Sequence, residues 1–117
     1  MKITISNFKC PSLNKSYAGR HWTKRKEEAD LIHQLVISEI KKAHFKPIKE
    51  FPVNTLVTAY YKDRRRHDSN NVSDKEIIDG LVLSGLLPDD STEYIRTSST
   101  MAVIGADENR VEIDLVC

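Results

Sequence analysis

Ile3 and Ile5 alternate with Thr4 and Ser6 between Lys2 and Phe8, the period-two pattern of a strand buried on one face. A turn-rich stretch follows from Cys10 to Arg20, containing Pro11, Ser12, Asn14, Ser16 and Gly19. From Thr23 to Ala43 the period lengthens. Ala29, Ile32, Val36 and Ile40 recur at helical spacing while Lys24, Arg25, Glu27, Glu28, Lys41 and Lys42 fill other positions, which predicts a long amphipathic helix. Pro47 and Pro52 break the chain, and the Val, Thr and Tyr of Val53 to Lys62 have strand character. Ser73 and Glu76 have the spacing of a capping box ahead of Ile77, Ile78, Leu81, Val82 and Leu86, so a second helix is expected to start there and end near Gly85. Tyr94–Ile104 and Val111–Val116 read as two strands of a hairpin turning at Gly105 to Asn109. The order β-α-β-α-β-β predicts an α+β fold, with two helices packed on a small mixed or antiparallel sheet.

A chain of 117 residues, 39% hydrophobic and 30% charged, supports one domain spanning residues 1–117 and one modest core. No apolar run approaches the roughly 20 residues that cross a bilayer, and the opening residues lack a signal-peptide core, so a cytoplasmic protein without a membrane role is expected. Cys10 and Cys117 belong to no CxxC or Cys/His cluster, which argues against a structural zinc site and for two reduced thiols. The net charge of +1 conceals an asymmetry. Residues 1–67 carry 15 Lys and Arg against 6 acids, a balance of +9, and residues 68–117 carry 3 against 11, a balance of −8. A basic surface beside an acidic cluster suits an enzyme that grips phosphates while its carboxylates hold a divalent cation; the same halves could also simply neutralise one another across a fold.

The segment from Arg64 to Asp90 concentrates the chemistry. Arg64, Arg65 and Arg66 end a strand, a polar loop holds Asp68, Asn70 and Asn71, Lys75 and Asp79 lie four apart on the second helix, and Asp89-Asp90 follows it. Carboxylate and amide oxygens are the hard ligands that Mg²⁺ takes. Loop acids before a helix and acids after it converge if the strand ends flanking that helix lie close together. Taken singly, each piece has an ordinary reading: a surface turn at Asp89-Asp90, an Asx turn at Asp68 to Asn71, an exposed ion pair between Lys75 and Asp79.

In combination, the order resembles the RusA family of Holliday junction resolvases, whose core runs as several Arg, then Asp-x-Asp-Asn, a Lys before a helical Asp, a Gly and an Asp-Asp pair. The matching residues are Arg64-Arg65-Arg66, Asp68-Ser69-Asn70-Asn71, Lys75, Asp79, Gly85 and Asp89-Asp90, and the early Pro11-Ser12-Leu13-Asn14 is similar to the family's Pro-Ser-x-Asn loop. The resemblance implies a homodimeric, cytoplasmic (bacterial or phage-encoded) endonuclease that resolves four-way DNA junctions by paired nicks with Mg²⁺, Mn²⁺ being able to substitute. It makes Asp68, Asn70 and Asp90 the metal ligands and, with Lys75, the catalytic set. Arg64, Arg65, Arg66, Lys75, Lys15 and Arg20 become the DNA contacts. Two departures stand out: Asn70 replaces the family's second aspartate, and the step from that loop to Lys75 is one residue longer. An amide lacks the charge that draws Mg²⁺ from water, so a junction-binding protein with weakened catalysis is the alternative. Asp74 is expected to complement the helix dipole rather than to replace the missing acid. His21, His33, His44 and His67 share no ligand spacing and are expected to be structural or on the surface. Trp22 and Tyr17, among basic residues, could stack on an unpaired base, Trp22 being expected rather in core or dimer packing.

Overall fold

The computed structural model of this chain describes residues 1–12 and 22–117, the side chain of Trp22 excepted. The loop candidates Lys15 and Arg20, together with Asn14, Tyr17 and His21, lie outside the described residues, as does the Trp22 side chain. The elements follow as β1 (Lys2–Ser6), α1 (Trp22–Lys42), β2 (Val53–Tyr60), a 3-10 turn (Ser69–Asn71), α2 (Lys75–Leu83), β3 (Ile95–Val103) and β4 (Arg110–Val116). This is the expected α+β order, with both helices on a four-stranded mixed sheet. Among the described residues, no helix is long and apolar enough to cross a membrane.

The alternation read at the start of the chain is what buries Ile3 and Ile5. The same period puts Val53, Val57 and Ala59 of β2 and Val111, Ile113 and Leu115 of β4 into the core. Against this face α1 places Ile32, Val36 and Ile40, and α2 places Ile77, Ile78 and Leu81, each burial of such a side chain being worth roughly 1.5–3 kcal/mol. The two helices approach closely because Gly80 has no side chain. A Cβ built there would lie 2.9 Å from Cβ of Val36, whose exposure is 0%. α2 ends in a Schellman turn: Gly85 takes φ +86° while its N–H donates to the Val82 carbonyl and that of Leu86 to the Leu81 carbonyl.

Two local expectations give way to longer-range contacts. β3 and β4 do not form a hairpin, since the sheet order is β1-β4-β2-β3, with β2 antiparallel to β4 and parallel to β3. β2 is buried at five of its eight positions, so it belongs between neighbours, whereas β3 is mostly exposed and fits an edge. The Gly105–Asn109 segment crosses the end of β2 instead of reversing beside it. The capping box is also absent: Asp74, not Ser73, precedes the helix, and it makes no side-chain cap bond. Ser73 is buried with its N–H donating to the Pro11 carbonyl, and Glu76 is drawn sideways to His33.

The two thiols differ in setting. Cys10 is buried, which pushes its thiol up to about 12 and leaves it unreactive, while Cys117 is exposed.

Candidate nucleic-acid interface

Where β2 ends, the chain turns outward through Asp63, and this residue organises the arginine loop. Its carboxylate accepts hydrogen bonds from Nε2–H of His67 (2.9 Å) and the backbone N–H of Arg65 (3.0 Å), and pairs with Lys9 at 3.5 Å. Its carbonyl accepts from the N–H of Gly105, the Tyr61 carbonyl accepts from that of Ala106, and the Asn109 side chain accepts from that of Lys62. His67 in turn stacks flat on Tyr61, with centroids 3.7 Å apart and planes 3° apart. Tyr61 is buried and donates to the Cys10 carbonyl. The loop is therefore tied to β1's exit on one side and to the β3–β4 connection on the other, with Arg64, Arg65 and Arg66 all exposed.

Each arginine has a different environment. The Arg64 guanidinium lies over Gly105, whose φ of +67° and lack of a side chain leave room for it. Arg66 pairs with Asp68 at 3.2 Å while remaining 88% exposed, and the Arg65 guanidinium makes no hydrogen bond or ion pair among the described residues. An exposed pair of the Arg66–Asp68 kind contributes at most about 1 kcal/mol, so both cations are available to a phosphate.

The hydrogen bond from His67 is the largest influence on Asp63, opposed by burial and reinforced by the Arg65 N–H, His67's charge and Lys9. Together they hold its carboxyl at about 2 against an ordinary 3.8. A carboxylate held down in the folded state stabilises it fully above the ordinary value and loses that contribution as pH falls through about 2. A carboxyl NMR titration is expected to find the Asp63 midpoint near 2 and to move it up towards 3.8 in His67→Ala. An unmoved midpoint would show that the histidine does not anchor the loop.

Beneath the arginines opens a cleft of about 590 Å³. Phe8, Leu31 and Ile32 give it an apolar part, Lys9, Arg65 and Arg66 contribute cations, and Glu28 and Asp68 carboxylates. Its volume falls within the few-hundred to thousand Å³ range of small-ligand sites.

Hydrogen bonds tie the acid-bearing segments to β3 and to its start. Ser69, next to Asp68, accepts from the Thr100 hydroxyl through its carbonyl and from the Ala102 N–H through its Oγ, which fixes the Asp68–Asn70 turn against the far half of that strand. Asp74 accepts from Ser98 Oγ at 2.8 Å. Asp90 precedes Ser91, whose carbonyl caps the N–H of Ile95 at the strand's start. Because β2 and β3 are parallel, the strand ends flanking α2 lie at opposite ends of the sheet, and about 17 Å of β3 separates Ile95 from Thr100. Among the described residues, Asp68, Asp74 and Asp90 do not form a group with ligand atoms within 4.8 Å of one another. Asn70 and Asp90 are exposed, and Lys75, also exposed, has its Nζ 3.8 Å from Glu76 rather than on Asp79. The oxygens have the right chemistry for Mg²⁺.

Another grouping was not visible in the sequence. His33 of α1 and Glu76 and Asp79 of α2 place one ligand atom each within 4.8 Å of the others. His33 and Glu76 are 43 positions apart, so no local spacing announces them. The helical period could have supplied part of the signal, since Glu76 and Asp79 lie one turn apart.

Compared with known proteins, the chain matches no family model and no curated sequence.

Proposed function

We propose that this protein binds branched DNA such as a four-way junction, as a homodimer, and cuts it as a Mg²⁺-dependent, structure-selective endonuclease of the resolvase type. The observation that carries the reading is the arginine loop: three exposed guanidinium groups on a segment pinned by Asp63, His67 and Tyr61, directly followed by the Asp68–Asn70 turn. Such a loop presents preset positive charge to phosphate oxygens with little ordering cost. Arg65 and Arg66 beside the cleft would take the backbone while its apolar part receives an unpaired base at a branch. Lys75, exposed at the start of α2, would add a further phosphate contact. A four-way junction has two related cutting positions and the chain has one arginine loop, which is why a two-fold pair of chains belongs to the proposal.

Magnesium, or manganese in its place, enters this reading through the motif's resemblance. Asn70, standing where the resembled family has an acid, favours a second reading in which the protein binds junctions without cutting them.

The test is a synthetic four-way junction incubated with Mg²⁺. Paired symmetric nicks that Asp90→Asn and Asp68→Asn abolish are the expected result. Intact junctions in stable complex would leave the binding reading alone, and cutting gained in Asn70→Asp would identify the amide as the cause. Absence of any DNA binding would remove both.

A further inference from the structure

We propose that His33, Glu76 and Asp79 form a site for a divalent first-row transition-metal cation of the zinc class, bridging α1 to the N-terminal half of α2. The helix contact that seats Gly80 on Val36 also brings His33, three residues before Val36, beside Glu76, four residues before Gly80. Glu76 and Asp79 are three apart on α2, so their carboxylates project from one face towards the imidazole. All three side chains are partly buried.

The geometry is close to that of a bound ion. Donors at about 2.1 Å from a metal, subtending about 90–110°, stand about 3.0–3.4 Å apart. His33 Nε2 and Glu76 Oε2 are already 3.0 Å apart, joined by one hydrogen bond whose proton a cation would displace. The Asp79 carboxylate, within 4.8 Å of both, closes the set by a side-chain rotation of about 1.5 Å. Asp79 also has a reason to move. Among the described residues it makes no hydrogen bond or ion pair, although it is partly buried beside a second carboxylate. Two carboxylates and a neutral imidazole carry a charge of −2, which a divalent ion cancels.

The donor set selects among ions. An imidazole nitrogen favours zinc, copper, iron or nickel over magnesium, calcium and manganese, which suit oxygen ligands. Three protein ligands leave at least one position for water. An ion here would lock the start of α2, and with it Asp74 and Lys75, to α1.

The experiment titrates chelator-treated full-length protein with Zn²⁺ alone, in the absence of DNA, following heat by calorimetry and the melting temperature in parallel. One Zn²⁺ per chain is expected, with a rise in melting temperature that Mg²⁺ at the same concentration does not produce. Asp79→Asn is the decisive variant because it leaves the His33–Glu76 hydrogen bond in place. It is expected to melt like the parent without metal and to bind Zn²⁺ about tenfold more weakly or worse, and Glu76→Gln should weaken binding at least as much. Absence of Zn²⁺ binding, or Zn²⁺ binding that Asp79→Asn leaves unchanged, overturns the proposal. Neither outcome bears on the DNA reading, since no nucleic acid is present.

Discussion

Replacing Arg65 and Arg66 together with alanine is expected to weaken four-way-junction binding by about 30- to 100-fold, at about 1–1.4 kcal/mol for each exposed guanidinium–phosphate contact. The salt dependence should fall with it, the slope of log affinity against log salt dropping by about 1 for each phosphate contact removed. The fold should not suffer. Arg65 contributes its backbone N–H to Asp63, which alanine retains, and its guanidinium makes no hydrogen bond or ion pair among the described residues. Arg66 loses only an exposed pair with Asp68. A fluorescence titration of a labelled junction at several salt concentrations reads both quantities. Unchanged affinity and slope would mean that DNA, if bound, is held elsewhere.

The second large effect concerns the helix pair. Gly80→Ala brings two opposing terms into play: alanine is about 1 kcal/mol better than glycine inside a helix, and overpacking a core costs about 1–3 kcal/mol. Here the new methyl would meet Cβ of Val36 at 2.9 Å, and Val36 is completely buried, so neither residue can yield without separating α1 from α2. The clash should prevail, with a net loss of up to about 2 kcal/mol read as a lower urea midpoint at unchanged slope. Adding Val36→Ala should return part of the loss, a non-additivity that marks direct contact. A stabilised Gly80→Ala would show that the helices are further apart than described, and would weaken the case for His33 meeting Glu76 as well.

Elements built on a sustained period were readable from the chain itself. Ile32, Val36 and Ile40 announced α1, Ile3 and Ile5 announced β1, and each is buried where the pattern placed it. Errors arose where a local signal competed with a partner far along the chain. The Gly105–Asn109 turn looked like a hairpin, but its amides serve Asp63 and Tyr61 across the end of β2. Ser73 and Glu76 had the spacing of a cap, but Pro11 takes the Ser73 N–H and His33 takes the Glu76 carboxylate.

For the candidate site, the exposed arginines were legible as a charge run. Their anchor was not, because Asp63 acts through His67, Lys9 and Gly105, which only the fold assembles. The acids were legible as residues and as an order along the chain, which local spacing alone does not turn into distances. The expectation of adjacent ends for the strands flanking α2 fails for a reason no local pattern announces: β2 pairs parallel to β3, which sets those ends apart.

The most direct measurement is the affinity of the full chain for a four-way junction against a linear duplex of the same sequence, taken across a range of salt. Preference for the junction at every salt, with both affinities falling steeply as salt rises, is the expected result. Equal affinity for the two DNAs, or binding indifferent to salt, would contradict the assignment of the arginine loop to branched DNA.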